Sequence, residues 1–262
     1  MRIGFFDSGI GGISITRSVK RDLPQYLYTY YADDRNMPYG NKKPETLFHL
    51  TTQALKILFE QERCLLVILA CNTASTVLPR IQKVWLPETF PDRKVLGVIR
   101  PTVEYLTEKH STHPVYVLAT QRTVLSRAYD HELSKIGKTC DFHEIACPKL
   151  AQAIEISPHP SQDPSVYALC KEYLKNVPET IPVTIYTGCT HYAFAAPFIR
   201  KLRPLATVIN QGHIISRKLD AYLSNHPAMA KKLKRSAGGA THLFCSSNSV
   251  EYVKKIEKLL NK

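Results

Sequence analysis

The sequence predicts an α/β fold made of two pseudo-symmetric α/β domains with mainly parallel sheets and a candidate site in the cleft between them. Short apolar runs alternate with segments of helical period along all 262 residues, which is typical of parallel sheets covered by helices. A chain of this length can form one or two domains. The stretches VILACNTAST (67–76) and TIYTGCTHYAF (184–194) each place a cysteine and polar residues after an apolar strand, which indicates a weak internal repeat.

Each predicted element follows from its local pattern. Apolar runs predict strands at 3–6, 65–70, 95–99, 115–119, 183–186 and 207–209. Segments of helical period predict helices at 45–62, 101–110, 122–136 and 165–176. The tail is expected to form an amphipathic helix, because its apolar residues recur with the spacing of one helical face. These residues are Val250, Val253, Ile256, Leu259 and Leu260.

The composition is that of an ordinary globular chain with an excess of positive charge. Apolar residues make up 44% and charged residues 22% of the sequence, and the formal net charge is +13. Such a charge favours anionic partners, including nucleic acid, membrane surfaces and acidic metabolites. No apolar run approaches the roughly 20 residues that a membrane helix needs, and the amino-terminal stretch lacks the apolar core of a signal peptide. The expected compartment is therefore the cytoplasm, with no membrane association.

The cysteines argue against a disulfide framework or a metal site. Their number is odd, and no pair has the C-x-x-C spacing of a zinc or redox centre. Most are therefore expected to be small buried apolar residues. The seven are Cys64, Cys71, Cys140, Cys147, Cys170, Cys189 and Cys245.

Two polar turns follow predicted strands, where ligands bind in open parallel sheets. The first strand ends in FFDSGIGG, which contains Asp7, Ser8 and three glycines. Its backbone N–H groups are suited to cradle an anion, but a merely tight strand-to-helix turn explains the glycines equally well. The segment YADDRNMPYG contains Asp33 and the Pro38, Tyr39, Gly40 sequence, and turn chemistry alone accounts for it.

The chemistry of a cysteine pair gives the internal repeat a functional meaning. Inverting a carbon centre by proton transfer needs one base on each face, and a thiolate is a suitable base because neighbouring groups readily lower its pKa. Cys189 has His191 close in sequence, and Asp7 ends a strand expected to lie beside Cys71. Either cysteine alone is better explained as a buried structural thiol. The pair at matching strand ends favours the catalytic interpretation.

With these motifs in hand, the sequence resembles the cofactor-independent glutamate racemases of bacterial cell-wall synthesis. The resemblance covers nearly the whole chain. Its motifs are DSGIGG (7–12), PYG (38–40), ACNTAS (70–75), GVIRPT (97–102), ATQRTVLSRAY (119–129), ACPKLAQAIE (146–155) and GCTHY (188–192). The resemblance implies an active site between a first domain, 1–97 plus 209–262, and a second, 98–208. It also implies conversion of L-glutamate to D-glutamate for peptidoglycan, with no metal or pyridoxal phosphate, in a chain that commonly forms a homodimer.

The resemblance also implies a role for each site residue. Cys71 would act on D-glutamate with the help of Asp7. Cys189 would act on L-glutamate with the help of His191, which Glu155 would support. The residues expected to hold the substrate are Ser8, Pro38, Tyr39, Gly40, Asn72, Thr73, Thr120, Thr123 and Thr190.

Several positions depart from the family pattern, and two other functions stay open. Ala193 replaces the usual proline after GCTHY, Arg100 stands where proline or histidine is common, and Asn36 replaces a basic or apolar residue. The turn INQG (209–212) replaces an IDSG-like turn. One alternative is a racemase of a related amino acid such as aspartate. The other is a basic macromolecule-binding protein on a racemase scaffold, for which the charge of +13 is the only support.

Overall fold

The computed structural model describes residues 1–110, 112–138, 140–233, 235 and 238–261. These residues form two sheets whose strands all run parallel, so the predicted α/β class is confirmed. The strands within the described residues are β1 (Arg2–Asp7), β2 (Tyr28–Ala32), β3 (Cys64–Leu69), β4 (Lys94–Gly97), β5 (Val115–Ala119), β6 (Phe142–Ala146), β7 (Val183–Thr187), β8 (Ala206–Ile209) and β9 (Thr241–Cys245).

Helices cover both sheets. The α-helices are α1 (Ile13–Asp22), α2 (Pro44–Glu60), α3 (Asn72–Ser75), α4 (Leu78–Arg80), α5 (Leu86–Thr89), α6 (Ile99–Lys109), α7 (Gln121–Ser126), α8 (Ala128–Ile136), α9 (Leu150–Ile156), α10 (Pro164–Tyr173), α11 (Ala196–Leu202), α12 (Gln211–Asn225), α13 (Pro227–Lys232) and α14 (Val250–Leu260). A π-helical turn, Ile81–Trp85, joins α4 to α5, and 3₁₀ segments occupy Asp34–Asn36, Tyr39–Asn41 and Thr190–Ala195.

The first sheet has the order β4-β3-β1-β2-β9. Successive side chains of a strand point to opposite faces, so Phe5 packs in the core under α1, α12 and α14 while Phe6 packs in the core under α2. Burial of both faces explains why β1 and β3 are almost continuously apolar.

The second sheet has the order β6-β5-β7-β8. Leu118 and Ile185 pack against α9, α10 and α11 on one face, whereas Val115 and Val117 pack against α6 and α8 on the other. Because all strands are parallel, their carboxyl ends lie at the same end of each sheet. The segments that follow β1 and β3 therefore lie side by side, as do those that follow β5 and β7.

The sequence-based prediction gave no bounds for β2 and missed β6 and β9, and it misplaced one strand end and one helix. These three strands, YTYYA, FHEIA and THLFC, mix aromatic and polar residues, so they lack the aliphatic runs that mark the others. The predicted strand 95–99 ends at Gly97, because Ile99 already begins α6. The predicted helix 122–136 is two helices, since Arg127 adopts the left-handed conformation between them (φ 52°, ψ 29°).

The two sheets agree with the predicted two-domain arrangement, while the boundaries at 97/98 and 208/209 stay a prediction. Strands β1 to β4 and β9 belong to the first sheet, and β5 to β8 to the second. Within the predicted domains, six residues lie outside the described ones: Ser111, Thr139, Lys234, Ser236, Ala237 and Lys262. A search of the described helices finds none that is both long and apolar enough to span a membrane.

Candidate active site

The two cysteines at the matching strand ends face one cavity. Cys71 follows β3 of the first sheet and Cys189 follows β7 of the second, and both line a cavity of about 110 Å³. The residues that line it are Ser8, Met37, Pro38, Tyr39, Gly40, Asn41, Cys71, Thr73, Thr120, Pro148, Ala151, Gln152, Ile156, Cys189, Thr190 and His191.

Cys71 is a buried thiol at the beginning of a short helix. It is the N-cap of α3, where its Sγ accepts a hydrogen bond from the Ala74 N–H at 3.4 Å. The Ser8 Oγ lies 3.7 Å from the same sulfur. Burial, followed by the negative charge of Asp7, raises the pKa of the Cys71 thiol to about 12. The sulfur is therefore protonated at neutral pH.

Asp7 ends β1 and is completely buried beside the cleft. Its carboxylate accepts hydrogen bonds from the Gly9 N–H at 2.9 Å and from the Thr190 hydroxyl at 3.0 Å. Burial raises the pKa of Asp7 to about 6, although the charge of His191 and these two hydrogen bonds act in the opposite direction. Since Thr190 follows Cys189, Asp7 connects the environments of the two cysteines.

Cys189 has a cationic neighbour. The His191 Nδ1 lies 3.9 Å from the Cys189 sulfur, and the His191 Nε2 lies 2.6 Å from the Glu155 Oε2. Burial alone would lower the pKa of His191, but its hydrogen bonds to Cys189 and Glu155 and the charge of Glu155 raise that pKa well above its usual value. The direction of this shift favours the protonated imidazole beside the Cys189 sulfur.

Glu155 is held from both halves of the molecule. Burial would raise its pKa, but the hydrogen bond and charge of His191, with further hydrogen bonds from Tyr252 and Ile10, lower the pKa to about 2. The Tyr252 hydroxyl donates to Oε1 at 2.8 Å, and the Ile10 N–H donates to Oε2 at 3.1 Å. Lys255 donates to the Glu155 carbonyl oxygen at 2.7 Å. No local pattern indicated Tyr252 or Lys255, because both lie on α14, about a hundred residues from Glu155.

Three threonine hydroxyls form a buried cluster at the cavity. Thr73 Oγ1 lies 2.9 Å from Thr120 Oγ1 and 3.4 Å from Thr123 Oγ1, and the last two are 3.0 Å apart. Thr120 is the N-cap of α7, which explains its position directly after β5. The cluster joins a residue after β3 to residues after β5, and hydroxyls of this kind can donate or accept hydrogen bonds.

The Pro38, Tyr39, Gly40 turn closes another side of the cavity. The Tyr39 hydroxyl donates to the Asp33 Oδ2 at 2.6 Å, and Asn36 donates to the Asp33 Oδ1 at 3.0 Å. Asn36 thus supports Tyr39 through Asp33. Gly40 approaches Thr120 so closely that a Cβ there would lie 2.9 Å from the Thr120 Cβ.

Ten of the predicted site residues line the cavity, and four lie in the layer behind it. The ten are Ser8, Pro38, Tyr39, Gly40, Cys71, Thr73, Thr120, Cys189, Thr190 and His191. The four are Asp7, Asn72, Thr123 and Glu155, each buried and hydrogen-bonded to other residues. No group of three or more His, Cys, Asp or Glu among the described residues is arranged to hold a metal ion.

Comparison with known proteins identifies the family. A sequence profile of the Asp/Glu/Hydantoin racemase family matches residues 12–219. A glutamate racemase from Cereibacter sphaeroides is 34% identical over 242 residues, which are 88% of this chain and 87% of that protein. The chain belongs to the Asp/Glu/Hydantoin racemase family. Membership of this family makes it an isomerase, and the resemblance read from the motifs is confirmed at this level.

Solved structures agree with the assignment to the Asp/Glu/Hydantoin racemase family. A glutamate racemase isoform from Bacillus anthracis superposes with a TM-score of 0.85 at 26% identity, covering 100% of this chain and 94% of that one. A glutamate racemase from Francisella tularensis in complex with D-glutamate gives a TM-score of 0.83 at 26% identity, with the same coverage.

Two of the residues that depart from the family pattern lie away from the cavity. Arg100 is exposed and pairs with Glu104 at 3.1 Å on the outer face of α6. Ala193 lies in the 3₁₀ segment after Cys189 but does not line the cavity. By contrast, sequence reasoning missed the lining residues Met37, Asn41, Pro148, Ala151, Gln152 and Ile156. Gln152 had a usable signal, since it lies three residues before Glu155 and hence one helical turn away.

Proposed function

We propose that this protein is a glutamate racemase that interconverts L-glutamate and D-glutamate by a two-base cysteine mechanism. The observation that carries the proposal is the placement of Cys71 and Cys189, which come from strand ends in different sheets and line one small cavity. The relatives named above are glutamate racemases. The product D-glutamate would be used in peptidoglycan synthesis.

The unequal charges around the sulfurs support a direction for the first proton transfer. The His191 imidazole lies 3.9 Å from the Cys189 sulfur, whereas burial and the charge of Asp7 keep the Cys71 thiol protonated. The Cys189 thiolate removes the α-proton of L-glutamate, and Cys71 delivers its own proton to the opposite face of the carbanion. The product is D-glutamate, with Cys189 protonated and Cys71 as the thiolate. In the reverse direction the two sulfurs exchange roles.

The cavity suits a small, polar amino acid. It has a volume of about 110 Å³. Its lining supplies hydroxyl, amide and imidazole groups, and no Lys or Arg is among the described residues that line it. The excess of Lys and Arg in the chain is therefore located elsewhere. Donors fixed in a closed site can stabilise the charge that develops on the substrate.

Deuterium exchange tests the substrate and the reaction together. The purified protein is incubated in D₂O with L-glutamate, L-aspartate or other L-amino acids, and α-deuteration is followed by NMR. We expect glutamate to exchange and to yield the D-enantiomer. Exchange with aspartate but not with glutamate would make aspartate the substrate. If no amino acid exchanges, the hypothesis that the protein racemises free amino acids is rejected.

Single cysteine replacements test the two-base mechanism. Cys71→Ala and Cys189→Ala should each abolish racemisation, because each removes the acid or base on one face. Cys64→Ala is the matched control, since Cys64 is equally buried on β3 but does not line the cavity. The control should lose stability but keep its turnover. Near-normal racemisation by either active-site variant, measured by circular dichroism of the substrate, would reject the mechanism.

We infer further that the protein is a cytoplasmic homodimer. The cytoplasmic assignment is supported by the cysteines, all seven of which are free thiols, as is usual in reducing compartments. The dimer is supported by the resemblance to glutamate racemases, which commonly dimerise. Light scattering coupled to gel filtration should give twice the chain mass of 29.7 kDa, and cell fractionation should recover the protein with cytoplasmic enzymes.

A further inference from the structure

The side chain next to Cys71 belongs to a buried polar network that joins the two sheets. Asn72 begins α3, directly after the first sheet, whereas its partners follow or cover the second sheet. The Asn72 Nδ2 donates to the Gln211 Oε1 at 2.9 Å, and the Gln211 Nε2 donates back to the Asn72 Oδ1 at 2.8 Å. The Tyr129 hydroxyl also donates to the Asn72 Oδ1, at 2.8 Å. All three residues are at least 97% buried.

These contacts limit what the Asn72 amide can offer a substrate. A carboxamide can accept two hydrogen bonds and donate two. Both acceptor positions of Asn72 are occupied, by Gln211 and Tyr129, and one donor is used by Gln211. One N–H therefore remains. Asn72 is left as a donor, suited to a carboxylate, and it is no longer an acceptor suited to the ammonium group of an amino acid.

The position of Gln211 is set by the beginning of α12. Asn210 is the N-cap of this helix, and its side chain accepts from the Gly212 N–H at 3.3 Å. Gly212 packs against α1, where an added Cβ would lie 3.0 Å from the Ser14 carbonyl oxygen. The Gln211 side chain belongs to the INQG turn that departs from the family pattern.

We propose that Gln211 is a positioning residue for racemisation, which holds the Asn72 amide as a hydrogen-bond donor and thereby fixes the adjoining Cys71 at the cavity. The inference rests on the proposed glutamate racemase function for its kinetic consequence. It assigns a role to a residue that does not itself line the cavity. It also predicts that Tyr129 and Gln211 act together, because both donate to one oxygen of Asn72.

The first test compares Gln211→Leu with Ser216→Ala. Gln211→Leu removes both hydrogen bonds to Asn72 at nearly constant volume, whereas Ser216→Ala removes a hydrogen bond from the same helix to Asp22 at 2.7 Å, which does not involve Asn72. We expect Gln211→Leu to lower kcat/KM for glutamate by roughly ten- to hundred-fold, as small displacements of reacting groups do. Ser216→Ala should lower the Tm without changing kcat or KM. Kinetics of Gln211→Leu within twofold of the parent would overturn the inference.

A second variant separates positioning from a merely structural role. In Gln211→Glu, a carboxylate can accept from Asn72 but cannot donate to it, whereas the protonated acid can do both. The ratio of kcat/KM for this variant to that of the parent should therefore rise as the pH falls. A ratio independent of pH would argue against donation from position 211. Tyr129→Phe combined with Gln211→Leu should give a loss that differs from the sum of the single effects.

A third readout does not depend on glutamate being the substrate. In protein labelled with ¹⁵N-asparagine, the side-chain amide signals of Asn72 are assigned by their absence in Asn72→Asp. They should shift in Gln211→Leu and stay unchanged in Ser216→Ala. Unmoved signals in Gln211→Leu would overturn the inference whatever the activity is. Shifted signals in a parent protein that does not racemise glutamate would support the network while rejecting the proposed substrate.

Discussion

The two thiols of the site differ in the charge that accompanies each of them. Cys71 lies near the Asp7 carboxyl group and has its pKa raised to about 12, mainly by burial. Cys189 lies 3.9 Å from the His191 imidazolium, which Glu155 holds at 2.6 Å. Neighbouring charge of opposite sign lowers the cost of ionisation, and charge of like sign raises it. The geometry therefore places a carboxyl group near one thiol and an imidazole beside the other before a substrate binds.

Asp7 gives the protein a measurable pH dependence. Its pKa is raised from 3.8 to about 6 by burial, so the folded state holds this proton more tightly than the unfolded state does. The resulting stability is present below pH 3.8 and is lost as the pH rises through about 6. A shift of this size corresponds to about 3 kcal/mol.

Asp7→Asn should remove this contribution. As the pH rises from 4 to 7, the free energy of unfolding should fall in the parent. We expect this fall to exceed that of the variant by about 3 kcal/mol. The racemase activity of the parent toward D-glutamate should also change with pH as Asp7 ionises, while that of the variant should lack this titration. Urea unfolding and initial rates across this pH range measure both effects. Parallel pH profiles in parent and variant would contradict the assignment.

At the scale of elements, the break between α7 and α8 lets two side chains reach the same segment of the chain. In an unbroken helix these side chains would point in different directions. Thr123 on α7 contacts Thr73, and Tyr129 on α8 contacts Asn72. In a continuous helix, residues six apart would point in directions roughly 120° apart. The left-handed Arg127 changes the helix direction, so both side chains reach the segment after β3.

The conformation of Arg127 predicts an unusual order of stability. A residue other than glycine in the left-handed region destabilises the folded state by roughly 1–2 kcal/mol, and glycine avoids most of that cost. We expect Arg127→Gly to be more stable than Arg127→Ala by about 1 kcal/mol, although glycine normally destabilises helical segments. Thermal unfolding of the two variants decides the matter. The opposite order would indicate a continuous helix over 122–136, as the periodicity alone predicts.

At the scale of the whole molecule, the site exists only where the two halves meet. Hydrogen bonds cross the cleft from Thr190 to Asp7, from Ile10 to Glu155 and between the Thr73 and Thr120 hydroxyls. The glycine-rich turn after β1 lies against the segment after β7, and its glycines permit this close approach. Contact of this kind excludes water from the reacting groups, which strengthens every electrostatic interaction inside the site.

The substitution Gly11→Ala should move the two halves of the molecule apart at the cleft. A Cβ at this position would lie 2.7 Å from the backbone N of His191, and the backbone cannot yield as a flexible side chain would. We expect kcat/KM to fall by about a hundredfold, because the two sulfurs would move apart.

Gly4→Ala is the matched control for this prediction. Its Cβ would lie 3.0 Å from the Cys64 Sγ and the Val67 Cγ2, both within the first sheet. It should cost stability and leave kcat/KM unchanged for the folded fraction. Racemisation by Gly11→Ala within twofold of the parent would show that the close contact is not required.

The sequence by itself predicted the α/β class and the two cysteines, because strand periodicity and the residues that follow each strand are local properties, and its resemblance to the glutamate racemases implied most of the other cavity residues. It did not determine which partners support them. Glu155 is held by Tyr252, 97 residues away, and Asn72 by Gln211, 139 residues away. Only the tertiary structure decided these contacts, since they depend on how α14 and α12 pack across the cleft. VILACNTAST therefore indicated the thiol, whereas the packing of the distant helices decided the orientation of the amide beside it.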